Sequence, residues 1–113
     1  MSSSPAVGLD EGWLERVKAQ GGASPLLIVA DHRAISVAAR GWHEQLSAAG
    51  WHYRVRLGEV VEPLLEQEAV AVAAEAARFQ ARAILAVGGA TLVAVATAAA
   101  RAASLPLVRL PDA

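Results

Sequence analysis

Two short apolar runs, neither interrupted by a polar side chain, constrain the fold of this chain more than any other feature. The first covers residues 25–30 (Pro-Leu-Leu-Ile-Val-Ala) and the second covers residues 84–87 (Ile-Leu-Ala-Val). Half-buried strands alternate apolar and polar residues, whereas strands that are covered on both faces are apolar throughout. We therefore predict that both runs are central strands of a parallel sheet.

The segments between and around these runs have helical or alternating patterns. Apolar residues recur at steps of three and four in residues 33–49 and 64–80, which predicts amphipathic helices, and Val70, Ala73 and Ala77 are predicted to form the apolar face of the second. The predicted elements are, in order, a helix that starts at Gly8 or Asp10 and ends at residues 21–22, strand 25–30, helix 33–49, strand 51–57, helix 64–80, strand 84–87, helix 91–103 and strand 106–110.

Strand 51–57 differs from the other strands because it alternates. His52, Arg54 and Arg56 fall on one face, which indicates a half-buried strand at an edge of the sheet, where charged residues block pairing with other chains. A phosphate contact is the other interpretation of the two arginines. The opposite face comprises Trp51, Tyr53, Val55 and Leu57.

A strand followed by a helix, three times over, predicts an α/β fold. The expected architecture is a three-layer, Rossmann-like open parallel sheet of about four strands with helices on both faces. Residues 1–8 are expected to be a flexible lead and residues 9–113 a single domain, a common size for one core. An unrelated flavodoxin-like fold has the same alternation of strands and helices and remains an alternative.

Composition excludes several classes of function. The net charge is −1 with scattered basic residues, so we expect no nucleic-acid partner. Cysteine is absent, which removes disulfides and thiolate chemistry. No apolar run approaches the roughly 20 residues of a membrane-spanning helix, and residues 1–5 lack the pattern of a signal peptide. We expect a cytoplasmic protein without a membrane partner.

Two features fall at the carboxyl ends of the central strands, where open parallel sheets bind ligands. Asp31 follows the first strand, and an acidic side chain there can bind ribose hydroxyls. After the third strand, two glycines open a helix whose first amide groups favour a phosphate. Together they predict a nucleotide site. Its candidate residues are Asp31, Gly88, Gly89, Ala90 and Thr91.

Each feature also has a purely structural interpretation. Asp31 is a natural N-cap of the following helix, and glycines at a strand–helix turn often serve only steric needs. The three spaced glycines of a dinucleotide fingerprint are missing after the first strand. His32, His43 and His52 have no metal-ligand spacing, so no metal is expected.

The run at residues 84–91 (Ile-Leu-Ala-Val-Gly-Gly-Ala-Thr) resembles the strand and glycine loop of the iron-containing alcohol dehydrogenase and glycerol dehydrogenase superfamily, which includes dehydroquinate synthase-like enzymes. Members carry GGGS-x-x-D-x-x-K and an alanine-rich helix. The resemblance implies that residues 88–91 hold the pyrophosphate of NAD or NADP and that Asp31 meets the adenine ribose. It also implies a metal-dependent oxidoreductase whose helical, metal-binding half is not encoded in these 113 residues.

The chain departs from that motif at several positions. Ala90 replaces the third glycine, Ala94 and Thr97 replace the Asp and Lys anchors, and Asp112 stands where the family has Thr. Two functions are therefore expected. The first is an NAD(P)-binding or nucleotide-binding domain that is not catalytic alone. The alternative is a cofactor-free interaction module, either a homo-oligomer or a subunit docked to a partner.

Overall fold

The computed structural model describes residues 13–58 and 65–110, without the side chains of residues 37–40 and 110. The predicted lead, the start of the first helix and residue 64 lie outside these ranges. Every other predicted element is present, with bounds that shift by one or two residues. The elements are α1 (Trp13–Ala19), β1 (Leu26–Ala30), α2 (His32–Ala48), β2 (Tyr53–Leu57), α3 (Leu65–Phe79), β3 (Ala83–Val87), α4 (Ala90–Ala103) and β4 (Leu107–Leu110).

The four strands form one parallel sheet in the order β2-β1-β3-β4. From β1 the chain crosses to one side to form β2, and from β3 it crosses to the other side to form β4. The direction of winding therefore reverses between β1 and β3. Ala30 is the register partner of both Leu57 and Val87, so the carboxyl ends of these three strands are level.

Helices cover both faces of the sheet, which confirms the predicted three-layer α/β architecture. Every residue of β1 and β3 is buried, as expected of central strands with uninterrupted apolar sequences. Helices α1 and α2 cover one face and α3 and α4 cover the other. The largest helical side chains that are fully buried are Trp13, Val17, Trp42 and Leu46 on the first face and Val72 on the second. No described helix combines the length and apolarity that a bilayer crossing requires.

The predicted apolar face of α3 is wrong by about one position. Val70 is 70% exposed, Ala73 is only partly buried and Ala77 is exposed. The residues that face the core are instead Ala69, Val72 and Ala76.

An ionic network between β2 and α3 explains this rotation. Arg56 bonds Glu75 through Nη1 (2.6 Å to Oε1) and Glu68 through Nε (3.1 Å to Oε2), while Arg54 lies 3.6 Å from Glu75 and over the Phe79 ring. Glu68 and Glu75 are seven residues apart and so share one helix face. Turning that face toward β2 turns Val70 to the solvent.

The charges in this network also shift the pKa of its central group, the Arg56 guanidinium. Burial lowers the pKa of Arg56, but the hydrogen bond to Glu75 and the charge of Glu68 outweigh burial and raise it above its usual value. The prediction of an edge strand at residues 51–57 is confirmed for β2, yet Arg54 and Arg56 bind α3 rather than stand free. Leu57, predicted on the apolar face, is 50% exposed because it lies at the open end of the strand.

Candidate functional site

The candidate site lies at the carboxyl ends of β1 and β3, where the winding of the sheet reverses. In open α/β sheets this switch point leaves a crevice between the connections that leave in opposite directions. The Asp31 amide donates to Val87 O (3.4 Å), so Asp31 extends the β1–β3 ladder by one residue. The structure therefore brings together the two predicted features, Asp31 and the glycine turn at 88–89.

Asp31 uses one carboxylate oxygen to cap α2. Its Oδ1 accepts a hydrogen bond from the Ala34 amide (2.8 Å), and its extended backbone (φ −80°, ψ 172°) is that of an N-cap. Among the described residues, no donor bonds the second oxygen, Oδ2. The capping interpretation is thus confirmed, and it leaves one oxygen of a half-buried carboxylate at the crevice.

Gly88 is required by the position of that carboxylate. A Cβ added at residue 88 would lie 2.8 Å from Asp31 Oδ2 and 3.3 Å from Leu92 Cδ2. Real Cβ atoms do not approach an oxygen so closely without displacing it. The steric interpretation of the glycine pair therefore holds for Gly88, whose missing side chain makes room for the protein's own Asp31.

Gly89 has a different role. It is the N-cap of α4 with an extended backbone (φ −81°), and a Cβ added there would meet no atom of the described residues within 4 Å. Among the described residues, no acceptor bonds the amides of Ala90, Thr91 and Leu92, whereas the next amide bonds Gly89 O (3.0 Å). Residues 89–91 are exposed. The positive end of the helix dipole therefore carries three amides without an acceptor among the described residues, and two of them belong to exposed residues.

Two further residues shape the crevice, and the sequence analysis did not single them out. A Cβ at Gly58, which follows β2, would lie 2.7 Å from Val29 Cγ1 and 2.8 Å from Leu92 Cδ1. Leu92 is 4% exposed and lies close to both Gly58 and Gly88, so it forms the floor between the strand ends. A glycine directly after a strand, at the edge that already carries Asp31 and Gly88, was the available signal for Gly58.

Three other positions that the sequence analysis named, Ala94, Thr97 and His43, add no polar group to the described part of the crevice. Ala94 has an exposed methyl, and the Thr97 hydroxyl donates to Val93 O within α4 (2.7 Å). The side chain of His43 lies 3.1 Å from the Tyr53 hydroxyl. Over the two described ranges, no three His, Asp or Glu side chains are arranged to hold a metal ion.

Comparison with known proteins supports the fold. The structure is similar to that of an iron-containing alcohol dehydrogenase from Corynebacterium glutamicum, with a TM-score of 0.61 and 24% sequence identity. The match covers 84% of this chain and 25% of the dehydrogenase chain, so the chain spans about a quarter of that protein's length. No protein-family model and no curated protein sequence matches the chain. This domain therefore has the α/β fold found in one part of that dehydrogenase.

Proposed function

We propose that this domain binds the ADP portion of a dinucleotide such as NAD or NADP at the β1–β3 switch point. Membership of the iron-containing alcohol dehydrogenase superfamily is part of this proposal, and it rests on the resemblance at residues 84–91 together with the shared fold. The observation that carries the proposal is that three amides at the start of α4 and the Oδ2 atom of Asp31 lie at the same edge of the sheet and have no bonding partner among the described residues.

The two groups match different parts of the ligand. Backbone amides at a helix start attract a phosphate through both hydrogen bonding and the helix dipole. A carboxylate oxygen accepts hydrogen bonds from ribose hydroxyls, as acidic residues near the strand ends of dinucleotide folds do. Gly89 leaves the approach to the amides unobstructed by the described residues, because none of their atoms lies within 4 Å of its missing Cβ position.

The proposal concerns binding rather than catalysis. Each of these groups would bind or orient a nucleotide, and the proposal gives none of them a part in hydride transfer. The activity of the similar dehydrogenase belongs to a chain four times the matched length, of which this domain corresponds to one part.

Calorimetric titration with adenosine, ADP, NAD and NADP tests the proposal. ADP and at least one dinucleotide should bind with a dissociation constant below about 1 mM, equivalent to about 4 kcal/mol. Adenosine should bind more weakly, because it lacks the phosphates that the α4 amides would hold. Absence of heat with all four ligands at millimolar concentration contradicts the proposal.

Two variants separate the contributions of the two groups. Asp31→Asn keeps the N-cap, since Asn caps as well as Asp, but it removes the charge; ADP and adenosine affinity should both fall, by about 5- to 10-fold. Gly89→Ala should weaken ADP and leave adenosine unchanged. Ala77→Ser, on an exposed position of α3, is the control. Equal effects of both variants on both ligands would show that the assignment of groups is wrong.

A second candidate function is self-association through the outer surface of α3 and α4. An apolar groove of about 410 Å³ lies between these helices, and the exposed Val70 lines it together with Ala94 and Ala98. Glu66 lines the same groove, and Arg101 lies on α4 one turn from Ala98. Opposite charges on the two helices that flank one apolar stripe would pair between two copies related by a two-fold axis, where the same surface meets itself. The proposed occupant is a second copy of this chain.

Light scattering tests this candidate with a matched pair of variants. Val70→Asp and Gln67→Asp add the same charge to exposed positions of α3, but only Val70 lines the groove. The wild-type protein and Gln67→Asp should have the mass of a dimer and Val70→Asp that of a monomer. A monomeric wild type, or a dimer in all three proteins, excludes this surface as the interface.

A further inference from the structure

The outer edge of β4 is covered by a side chain from the end of α1. The Gln20 carboxamide meets the backbone of Arg109 at two points: the Arg109 amide donates to Gln20 Oε1 (3.2 Å), and Gln20 Nε2 donates to Arg109 O (3.4 Å). The two residues are 89 positions apart in sequence. A carboxamide offers one donor and one acceptor, so it pairs with a strand residue as a neighbouring strand would.

The direction of the β4 backbone shows why Arg109 needs this partner. Pro106 O accepts from the Ile84 amide, so Pro106 and Val108 direct their backbone groups toward β3. Alternate residues of a strand point to opposite edges, and the groups of Leu107 and Arg109 therefore point away from the sheet. An edge strand with free backbone groups is a template for another chain.

The loop after α1 is built to hold Gln20 at this edge. Gly21 has a left-handed backbone (φ +99°), and a Cβ added there would lie 3.2 Å from Pro106 Cβ. The loop therefore lies against the beginning of β4 while the Gln20 side chain reaches Arg109 farther along the strand. The opposite edge of the sheet has a different protection, since β2 carries Arg54 and Arg56 with their acidic partners on α3.

We propose that the Gln20 carboxamide is a removable cap on a strand-addition surface, the outward backbone edge of β4 at Leu107 and Arg109. The chain that it excludes is a second copy of this protein, whose β4 would pair antiparallel about a two-fold axis to give a continuous sheet of eight strands. A second copy is always present at the protein's own concentration and, once its own Gln20 is displaced, offers the same outward backbone groups of Leu107 and Arg109, as an isologous contact requires. The cap acts as an autoinhibitory contact, and its loss opens the edge.

Gln20→Met tests the cap, because Met has a similar length and helix propensity but no amide. At low concentration the Arg109 amide should exchange with solvent about 2- to 10-fold faster than in wild type, the range expected for loss of one hydrogen bond. At high concentration the mass by light scattering should double relative to wild type. Lys18→Ala, an exposed α1 residue that contacts Glu15, should change neither quantity.

A double variant locates the association. Arg109→Pro removes only an amide that points outward, and proline is tolerated at such edge positions. Gln20→Met combined with Arg109→Pro should therefore return to the wild-type mass. Gln20→Asn, which retains the amide on a side chain one methylene shorter, should act like Gln20→Met and serves if that variant does not fold. The proposal is overturned if Gln20→Met keeps the wild-type mass and exchange rate, or if the raised mass persists with Arg109→Pro.

Discussion

Substitution of Gly88 by alanine should destabilise the domain, whereas the same substitution at Gly89 should not. The new methyl at residue 88 would lie 2.8 Å from Asp31 Oδ2, and the carboxylate cannot rotate away freely because Oδ1 caps α2 through the Ala34 amide. At residue 89 the methyl meets no atom within 4 Å in the part of the chain that the structure describes. The two glycines are adjacent in sequence, so each is the control for the other.

The expected cost at Gly88 follows from these contacts. Loss of an N-cap costs about 1 kcal/mol, and crowding against Leu92 adds about 1 kcal/mol at the lower end of the range for overpacking. Gly88 has a φ of +158°, which alanine adopts only with strain, so the usual gain of about 0.5 kcal/mol through the unfolded state is not realised here. The net loss is therefore about 2 kcal/mol, or about 8 °C in Tm for a domain of this size. At Gly89 the gain in the unfolded state offsets a weaker N-cap, which leaves a change within about 0.5 kcal/mol.

Urea unfolding followed by circular dichroism measures both values, and a double-mutant cycle tests their cause. In an Asp31→Ala background the carboxylate is gone, so Gly88→Ala should cost about 1 kcal/mol less than in the wild type. If Gly88→Ala is as stable as wild type, or if its cost is the same with and without Asp31, the close approach of the carboxylate does not explain the glycine.

Three other predictions concern the network, the crevice floor and the glycine motif. Arg56→Met leaves Glu68 and Glu75 without their shared cation in a mostly buried site. Urea unfolding should therefore show that the free energy of unfolding falls by about 1–2 kcal/mol, a value between those for exposed and for fully buried ion pairs. The pKa of Arg56 is raised in the folded state, so its contribution to the free energy of unfolding is complete below the usual arginine pKa. That contribution is lost only as the pH rises through the folded-state pKa. The destabilisation caused by Arg56→Met should therefore be the same at neutral and moderately alkaline pH. Leu92→Ala should cost about 2–4 kcal/mol, since Leu92 is buried between the strand ends, and a loss below about 1 kcal/mol would show that the floor collapses without strain. The paired substitutions Ala94→Asp and Thr97→Lys restore the polar anchors of the dehydrogenase motif and should strengthen ADP binding in calorimetry, while unchanged affinity would count against the resemblance as a guide to the site.

The fold could be predicted from the sequence because each element has a strong local signal. The uninterrupted apolar runs of β1 and β3 follow from burial on both faces, and the alternation in β2 follows from its edge position. The rotation of α3 could not be predicted in this way. Alanine is frequent on all sides of α3, so its apolar face is poorly defined, and contacts with Arg54 and Arg56 from another element decide which side faces the core.

The candidate site, like the fold, could be predicted from the sequence only in part. Parallel strands share one carboxyl edge, so the position of Asp31 in sequence, directly after a buried strand, already predicted that it would meet the glycine turn. The distinct roles of the two glycines could not be predicted, because the dipeptide is symmetric in sequence and only the Asp31 carboxylate, 57 residues before Gly88, distinguishes one glycine from the other.

The order of helices and strands, the parallel sheet and the edge that carries the polar groups were determined by the sequence, since periodicity and burial are local properties of a segment. Tertiary structure alone decided the rotation of α3, the different roles of Gly88 and Gly89, and the contact of Gln20 with Arg109. Each of these depends on distances between groups far apart in the chain, which are fixed only when the layers pack against one another.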